Sequence, residues 1–323
     1  MIHIGDCLDV MRGMAAGSVQ TCVTSPPYFG LRDYGVDGQI GLEGTPAEYV
    51  ERLVAVFREV RRLLRDDGTL WLNLGDSYAT DSKWGGSTGG KAAAGLHGLG
   101  GGGRHRTTTG LPDKNLIGIP WRVAFALQDD GWFLRQDIIW SKPNPMPESV
   151  TDRCTKAHEY LFLLSKSPRY YFDMEAIMEP SAGGNSYPPN GGPVHGQPAQ
   201  SRLHPSVRRG GFDGKTNALP GREAFRATSD KRQKRSVWNV ATTPFKGAHF
   251  ATFPEQLIEP CILAGAPAGG LVLDPFMGAG TTAVVAQRLG RQWLGCELNP
   301  EYAAIAEARI RVAQPGLSFG DVA

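Results

Sequence analysis

The sequence is poor in cysteine, and its cysteines are too scattered to form a metal-binding or disulfide motif. The five cysteines are an odd number, and none of them belongs to a Cys-x-x-Cys pair. This pattern is typical of a protein from a reducing compartment, and it argues against a disulfide framework and a structural zinc site. We therefore expect a protein without a bound metal.

Long apolar runs are also missing. No stretch approaches the roughly 18 apolar residues that a membrane span needs, and the first ten residues lack the basic and apolar blocks of a secretory signal. We expect a cytoplasmic protein that does not bind membranes. The 323 residues, of which 41% are hydrophobic, are enough for one large domain or two smaller ones.

The net charge of +2 is the sum of two unlike regions. Residues 181–236 contain ten Lys or Arg and three Asp or Glu, so the rest of the chain is mildly acidic. A basic segment attached to an acidic body indicates a polyanionic partner, although a solvated loop is the plainer interpretation of the charge alone.

Hydrophobic patterns predict strands that alternate with helices. Thr45 to Glu48 form a capping box with Pro46 at the first helical position, and the helix that follows is predicted to end at Gly68. Strands are predicted at 20–24, 69–74, 133–140, 159–164, 271–274 and 292–297, and further helices at 120–127, 254–264, 281–289 and from 299 onwards. This alternation predicts an α/β fold with a doubly wound, mostly parallel sheet.

Two segments interrupt this rhythm. Residues 80–112 are rich in glycine and have no periodicity, which predicts a long flexible loop. Residues 180–236 are rich in Pro, Gly, Ser and Arg. We therefore divide the chain into a first part at 1–179, a basic insertion at 180–236 and a second part of the same domain at 237–323.

A glycine turn follows the predicted strand at 271–274. Gly278 and Gly280 lie between this strand and a helix, which is the geometry that binds a nucleotide-like ligand at the carboxyl edge of a sheet. Glu297 ends the next strand, near the offset of roughly 20 residues at which an acid reaches ribose hydroxyls. Asp274, just ahead of the turn, suits a ligand with an ammonium group. A plain strand-to-helix connection would explain the glycines alone, but the second acid favours a ligand site.

A second turn, Ser25-Pro26-Pro27-Tyr28, follows the strand at 20–24, because two prolines cannot continue a sheet. The exocyclic amine of a nucleobase is a poor nucleophile, because its lone pair is delocalised into the ring. Ser25 Oγ and the Pro26 carbonyl can accept the two amine hydrogens, and stacking of the base on Tyr28 is worth roughly 1 to 3 kcal/mol. The turn suits a base taken out of its helix, although a stiff corner with a buried tyrosine is the alternative.

Together, residues 24–28 (TSPPY) and 274–282 (DPFMGAGTT) resemble the amino-methylating DNA methyltransferases that use S-adenosylmethionine. The catalytic turn precedes the cofactor loop, as in the circularly permuted beta group, where a basic target-recognition region lies between the two. Similar stretches occur at 68–78, 140–147, 156–164 and 250–260. The resemblance implies a Rossmann-like S-adenosylmethionine-dependent methyltransferase fold, with target recognition at 180–236 and cofactor binding at 237–323.

The resemblance also implies roles for single residues. The catalytic turn would comprise Ser25, Pro26, Pro27 and Tyr28. The cofactor site would comprise Asp6, Phe253, Asp274, Pro275, Phe276, Gly278, Gly280, Thr281 and Glu297. Within that site Glu297 would take the ribose hydroxyls and Asp6 the adenine amine, although Asp6 can equally well cap a first turn. Trp140, Lys142 and His158 resemble positions near the target pocket, with packing in the core as an equal alternative.

Ser25 bears on the choice of target amine. Family members with aspartate at this position mostly act on adenine N6, whereas those with serine mostly resemble cytosine-N4 enzymes, so we expect cytosine N4, with adenine N6 as the alternative. A zinc deaminase is excluded, because the Pro-Cys-x-x-Cys spacing is missing. An RNA or protein-amide methyltransferase and a catalytically idle DNA-binding protein are the rival hypotheses.

Double-stranded DNA is the expected partner. The basic residues of the insertion would neutralise phosphates, and some arginines would read guanine edges. They are Arg202, Arg208, Arg209, Lys215, Arg222, Arg226, Lys231, Arg232, Lys234 and Arg235. A solvated basic turn is the alternative for 231–235. A cognate restriction endonuclease is a further expected partner, and both a monomer and a homodimer remain open.

Overall fold

The computed structural model describes residues 1–79, 109–180, 231–242 and 252–313. The chain divides into a larger compact unit, Met1–Ile177 with Arg235–Ala323, and a smaller one, Met178–Lys234. Most of the glycine-rich segment, residues 80–108, and most of the basic insertion, residues 181–230, lie outside the described residues.

The larger unit is built on one eight-stranded sheet. The strands of the described chain are β1 (Ile2–Ile4), β2 (Val19–Thr24), β3 (Leu64–Leu74), β4 (Phe133–Ser141), β5 (His158–Ser165), β6 (Glu179–Pro180), β7 (Lys231–Arg232), β8 (Val237–Asn239), β9 (Leu271–Asp274) and β10 (Gln292–Glu297). All except β6 and β7 belong to this sheet, in the order β1-β10-β9-β2-β3-β5-β4-β8. Only β5 runs antiparallel to its neighbours there. The predicted α/β fold with a mostly parallel sheet is confirmed.

Helices cover both faces of the sheet. They are α1 (Cys7–Arg12), α2 (Pro46–Leu63), α3 (Ile119–Asp129), α4 (Glu255–Gly265), α5 (Thr281–Arg288) and α6 (Pro300–Val312), with a 3-10 turn at Glu175–Ile177. Helices α1, α2 and α3 pack together on one face, and α4, α5 and α6 on the other. Side chains of β3 alternate accordingly: Leu70 and Leu72 join the first core, and Trp71 joins the second.

The start of α2 follows the prediction, but its end does not. Thr45 Oγ1 accepts from the Glu48 backbone N–H at 3.2 Å, and the Glu48 carboxylate accepts from the Thr45 N–H at 3.1 Å. The prediction that Gly68 ends the helix is wrong. Leu64 is already extended, with ψ of 140°, because it pairs with Val19 in the sheet. Gly68 instead lets the chain fold tightly, since a Cβ there would lie 3.0 Å from Leu64 Cβ.

Three short elements were not predicted. β1, α1 and β8 contain three, six and three residues, which is too short for a periodic pattern to stand out. β1 pairs in parallel with β10, and Ile4 lies opposite Glu297. The turn after β1 therefore lies beside the end of β10.

In the smaller unit the structure describes only one two-stranded antiparallel ladder, between β6 and β7. Arg232 forms an ion pair with Glu179 across this ladder, with Nε 2.9 Å from Oε1. The boundaries of this unit, 178–234, differ by two residues from the predicted insertion at 180–236. Its part in target recognition stays a prediction. Among the described residues no helix is both long enough and apolar enough to cross a bilayer.

Candidate active site

A cavity with about 1140 Å³ of empty space, its open mouth included, lies where β1, β2, β9 and β10 end. These strands are parallel, so their carboxyl ends meet at one edge of the sheet. The predicted residues that line the cavity are Asp6, Ser25, Pro26, Pro27, Tyr28, Phe253, Asp274, Pro275, Phe276, Gly278, Thr281 and Glu297. Two motifs from opposite ends of the chain thus share one cavity.

Gly280 is the predicted cofactor residue that the cavity lining does not include. It precedes α5 with a φ of +77°, and a Cβ at this position would lie 3.0 Å from Ala306 Cβ of α6. Glycine is therefore needed here for a left-handed turn and for the close approach of α6.

Asp274 is a buried carboxylate at the end of β9. Its oxygens accept hydrogen bonds from Thr24 Oγ1 at 2.6 Å, from Thr282 Oγ1 at 2.6 Å and from the Phe276 N–H at 3.0 Å. Burial nevertheless raises the pKa of Asp274 to about 6, although these three hydrogen bonds oppose the shift. A cationic ligand would restore the favourable environment that the carboxylate lost on burial.

Glu297 at the end of β10 is held in a fixed orientation. Its two oxygens accept from the backbone N–H groups of Gly278 at 2.8 Å and Asn299 at 2.9 Å. Burial raises the pKa of this carboxyl group, and the two N–H donors oppose that shift. The carboxylate thus keeps lone pairs for a ligand with two hydroxyl groups, such as a ribose.

Asp6 lines the cavity but is also engaged within its own turn. Its Oδ1 accepts from the N–H groups of Leu8 at 2.8 Å and Asp9 at 3.3 Å, so it caps α1. The capping role left open by the sequence is therefore present, and the proposed contact with adenine stays a prediction.

The turn at 25–28 is attached directly to the segment that follows β9. Thr24, the residue before the turn, donates its hydroxyl proton to Asp274, and Thr282 Oγ1 also reaches the Val23 carbonyl at 3.3 Å. On the other side, Tyr49 Oη donates to the Pro27 carbonyl at 2.8 Å. The Pro26 carbonyl receives no hydrogen bond from the described residues, which leaves it available to a ligand.

Tyr28 is held by a polar cluster rather than by packing alone. Its hydroxyl group donates to Glu159 Oε2 at 2.7 Å, and it also lies 3.1 Å from Asn73 Oδ1. The ring lies against the backbone of Gly75, where a Cβ would be 2.5 Å from Tyr28 Cε2. Burial and the Glu159 charge raise the pKa of the phenol well above its ordinary value, so the proton stays on Tyr28.

The other residues that resembled target-pocket positions have divided roles. Trp140 is buried, and its indole N–H donates to the Val240 carbonyl at 2.8 Å, as a packed tryptophan would. His158 lies edge-on to the Tyr160 ring, with centroids 5.4 Å apart. Lys142 instead forms an ion pair with Glu159, next to Tyr28.

The sequence did not point to the segment at 31–40, which lines the same cavity. Tyr34 from this segment meets Tyr302 of α6 edge to face, with ring centroids 6.3 Å apart, and both line the cavity. The segment has no periodicity and no motif, so only its position directly after the catalytic turn could have indicated it. Glu159 was missed as well, because a lone acid in a strand carries no signal.

Six of the predicted DNA-contacting residues, from Arg202 to Arg226, lie outside the described residues. Of the other four, Lys231 and Arg232 form β7, and Arg232 is paired with Glu179. The Arg235 carbonyl accepts from Trp238 Nε1 at 2.6 Å. DNA contact by these residues stays a prediction.

This fold and this cavity define an α/β enzyme that binds a nucleoside cofactor at the carboxyl edge of its sheet. A family model described as DNA methylase, covering enzymes of the N6 and N4 type, matches residues 19–308. The chain therefore belongs to the N6/N4 DNA methylase family. It is a DNA methyltransferase that depends on S-adenosyl-L-methionine.

Relatives and solved structures agree with this family. The chain is 47% identical to the type II methyltransferase M.Cfr9I of Citrobacter freundii over 95% of this chain and 86% of that protein. It is 46% identical to M.SmaI of Serratia marcescens over 96% and 90%. The fold is shared with the cytosine-N4-specific PvuII DNA methyltransferase (TM-score 0.60, 19% identity, 97% and 90% covered). It is also shared with a putative DNA modification methylase of Thermus thermophilus complexed with S-adenosyl-L-methionine (TM-score 0.57, 24% identity, 98% and 94% covered).

The residues of the cavity fit this cofactor. The buried Asp274 carboxylate lacks a cationic partner among the described residues, and the cofactor carries an ammonium and a sulfonium group. Glu297 presents an oriented carboxylate on the neighbouring strand. The aromatic rings of Phe253 and Phe276 line the same space.

Proposed function

We propose that the protein methylates the N4 amine of a cytosine flipped out of duplex DNA. The observation that carries this proposal is that Ser25 and Pro26 line the same cavity as Asp274 and Glu297. A neutral hydroxyl at the first position of the turn favours cytosine N4. Adenine N6 is the second candidate, because the family includes enzymes of both types.

The turn would act by holding the amine rather than by taking part in a covalent bond. Ser25 Oγ and the Pro26 carbonyl would each accept one amine hydrogen, which draws the nitrogen toward tetrahedral geometry and frees its lone pair. Tyr28 would stack on the base. When bound, S-adenosyl-L-methionine supplies the methyl group on its sulfonium. The amine nitrogen would form a bond to the methyl carbon as the carbon–sulfur bond breaks with its electron pair left on sulfur, and the nitrogen would release one proton to solvent.

Asp274 would hold the positively charged methionine end of the cofactor, and Glu297 would accept the ribose hydroxyls. Pro275, Phe276, Gly278 and Thr281 would enclose the methionine portion, Phe253 would flank the cofactor, and Asp6 would contact the adenine amine. We assign Gly280 to the packing of α5 on α6, because its position there leaves no room for a side chain.

The basic insertion at 180–236 would be the target-recognition region, between the catalytic part at 1–179 and the cofactor part at 237–323. Its arginines and lysines would bind phosphates and read bases. Because the relatives M.Cfr9I and M.SmaI are named type II methyltransferases, we further propose a cognate restriction endonuclease as a functional partner. The cytoplasmic location and the oligomeric state stay predictions.

The test is methyl transfer from radiolabelled cofactor to duplex DNA, followed by mass analysis of the digested nucleosides. We expect label in N4-methylcytosine. Ser25→Ala and Tyr28→Ala should remove most of the transfer and leave cofactor binding intact. Label in N6-methyladenine would support the second candidate instead, and label only in RNA or protein would contradict the assignment to DNA.

A further inference from the structure

Glu159 and Lys142 form a charged pair behind the catalytic turn. We propose that this pair sets the direction of a hydrogen-bond chain through Tyr28, so that Ser25 turns its lone pairs toward the target amine. The inference rests on the proposed amino-methylation, and it adds Glu159 and Lys142 as positioning residues.

Sheet topology explains why this pair reaches the active site. β5 is antiparallel to β3, so the first residues of β5 lie at the same edge as the last residues of β2 and β3. The end of β4 pairs with the start of β5, with Trp140 opposite Glu159 and Ser141 opposite His158. Lys142 follows directly, and its Nζ binds Glu159 Oε1.

The direction of the chain follows from which groups can donate. A carboxylate accepts only, and a phenol has a single proton. Glu159 Oε2 lies 2.7 Å from Tyr28 Oη. The amide nitrogen of Asn73 donates to Glu159 Oε2 at 3.3 Å and to the Tyr160 carbonyl at 3.1 Å, so its oxygen is the atom that faces Tyr28. Both neighbours on this side are acceptors, and the Tyr28 proton must therefore point toward them and away from Ser25.

The Tyr28 oxygen is thus left as an acceptor on the side of Ser25. Ser25 Oγ lies 3.4 Å away and donates its proton to it. A serine hydroxyl has one proton and two lone pairs. Once the proton is directed to Tyr28, the lone pairs of Ser25 point away from Tyr28, and both Ser25 and Pro26 line the cavity. A freely rotating hydroxyl would instead spend part of its time presenting its proton to an amine that is itself a donor.

Lys142 fixes the position of Glu159 at the far end of the chain. The side chains of Glu159 and Lys142 are only 16% and 17% exposed, so each charge needs the other. Lys142 Nζ also lies over the Trp140 ring, 4.4 Å from its centroid, which restricts where the ammonium can go. In this arrangement Glu159 Oε1 is occupied by Lys142, and Oε2 is left for Tyr28.

The first experiment measures single-turnover methyl transfer with Glu159→Gln, Lys142→Met and Tyr28→Phe in the full chain. In Glu159→Gln, Lys142 retains the carboxamide oxygen, so the amide nitrogen faces Tyr28 as a donor and competes with Ser25 for the Tyr28 oxygen. Among the described residues, only the longer 3.1 Å contact with Asn73 Oδ1 then holds the Tyr28 proton. We expect the methyl-transfer rate to fall about 10- to 100-fold in each of the three variants. KM for DNA and for cofactor should change less than about 3-fold, because the ring at position 28 is kept.

Glu59→Gln is the matched control, since it removes another half-buried ion pair, with Arg62, away from the cavity. It should leave the rate unchanged.

The second experiment separates orientation of Ser25 from support of the fold. A carboxylate accepts in every direction, so Ser25→Asp should remove the need for the chain. We expect Glu159→Gln to cost less than about 3-fold in the Ser25→Asp background, against 10- to 100-fold in the parent. An equal cost in both backgrounds would overturn the proposal, and so would a Ser25→Asp protein that folds and binds cofactor but transfers no methyl group.

These outcomes are distinct from failure of the proposed function. If the unmodified protein transfers no label to duplex DNA, the proposed function itself is wrong. If it transfers label and Glu159→Gln equals Glu59→Gln in rate, only the orientation of Ser25 by Glu159 is wrong.

Discussion

Asp274 is a buried carboxylate whose pKa links both folding and cation binding to pH. Its pKa of about 6 exceeds the ordinary value of 3.8, so the folded protein keeps this proton to a higher pH than the unfolded chain does. The unfolded chain releases this proton first, and the contribution of Asp274 to stability therefore falls as pH rises from about 4 to about 6. Binding of a cation should instead become stronger as pH rises, because it needs the ionised carboxylate.

We predict that the affinity for S-adenosyl-L-methionine increases as pH rises through about 6. Calorimetric titration should give a dissociation constant about tenfold weaker at pH 5 than at pH 8. Asp274→Asn should bind weakly at both pH values and show no such dependence. A dissociation constant that is the same at pH 5 and pH 8 in the unmodified protein would contradict the pairing of Asp274 with the cofactor.

Gly75 tests how far catalysis depends on the place of the Tyr28 ring. A Cβ at this position would lie 2.5 Å from Tyr28 Cε2, so Gly75→Ala must displace the ring. We predict a loss of methyl transfer of about 10-fold or more, with cofactor affinity retained. Gly13→Ala is the control, because its Cβ makes only an ordinary contact at 3.5 Å. Full activity of Gly75→Ala would show that the stacking position tolerates a shift.

At the level of elements, the two glycines between β9 and α5 serve different purposes. Both have positive φ, +50° at Gly278 and +77° at Gly280, so alanine strains the backbone at both sites. Only at Gly280 would the Cβ also press on Ala306 of α6. Gly278 lines the cavity and donates its N–H to Glu297.

We therefore predict that Gly280→Ala lowers the free energy of unfolding more than Gly278→Ala, by about 1 to 3 kcal/mol. Gly278→Ala should weaken cofactor binding more than Gly280→Ala. Thermal or urea unfolding and calorimetric titration of both variants check the two statements. Equal effects of both variants in both measurements would contradict the division of roles.

The same loop shows what could be predicted from sequence. A hydrophobic strand, a glycine turn and a helix start are local signals, and they placed Asp274 and Glu297 correctly at strand ends. No local sequence signal places Glu159 beside Tyr28, because its position depends on β5 running antiparallel to β3. The prediction of where α2 ends failed for a similar reason. Leu64 continues the helical pattern of the sequence, but its pairing with Val19 in the sheet determines its conformation.

At the level of the whole molecule, sheet order turns two distant motifs into one site. β2 lies between β9 and β3 in the sheet. The turn after β2 therefore meets the loop after β9 on one side, and on the other side it meets Asn73 of β3 and Glu159 of β5. Local sequence patterns do not show this neighbourhood, which only the resemblance to a family implied. Thr24 and Asp274 are 2.6 Å apart through their side chains although their strands come from opposite ends of the sequence.

The charge of the insertion leads to the last prediction. If Arg208 and Arg209 bind phosphates, their replacement by Gln should lower DNA affinity and reduce the dependence of log K on log salt by about 0.9 for each phosphate that is no longer neutralised. Arg65→Gln is the control, because this exposed arginine belongs to the start of β3, at the opposite end from the cavity. Cofactor affinity should be unchanged in all three variants, since the residues that would bind the cofactor, Asp274 and Glu297, belong to the larger unit. Filter binding at several salt concentrations measures the slope, and an unaltered slope in both insertion variants would assign the phosphate contacts to other residues.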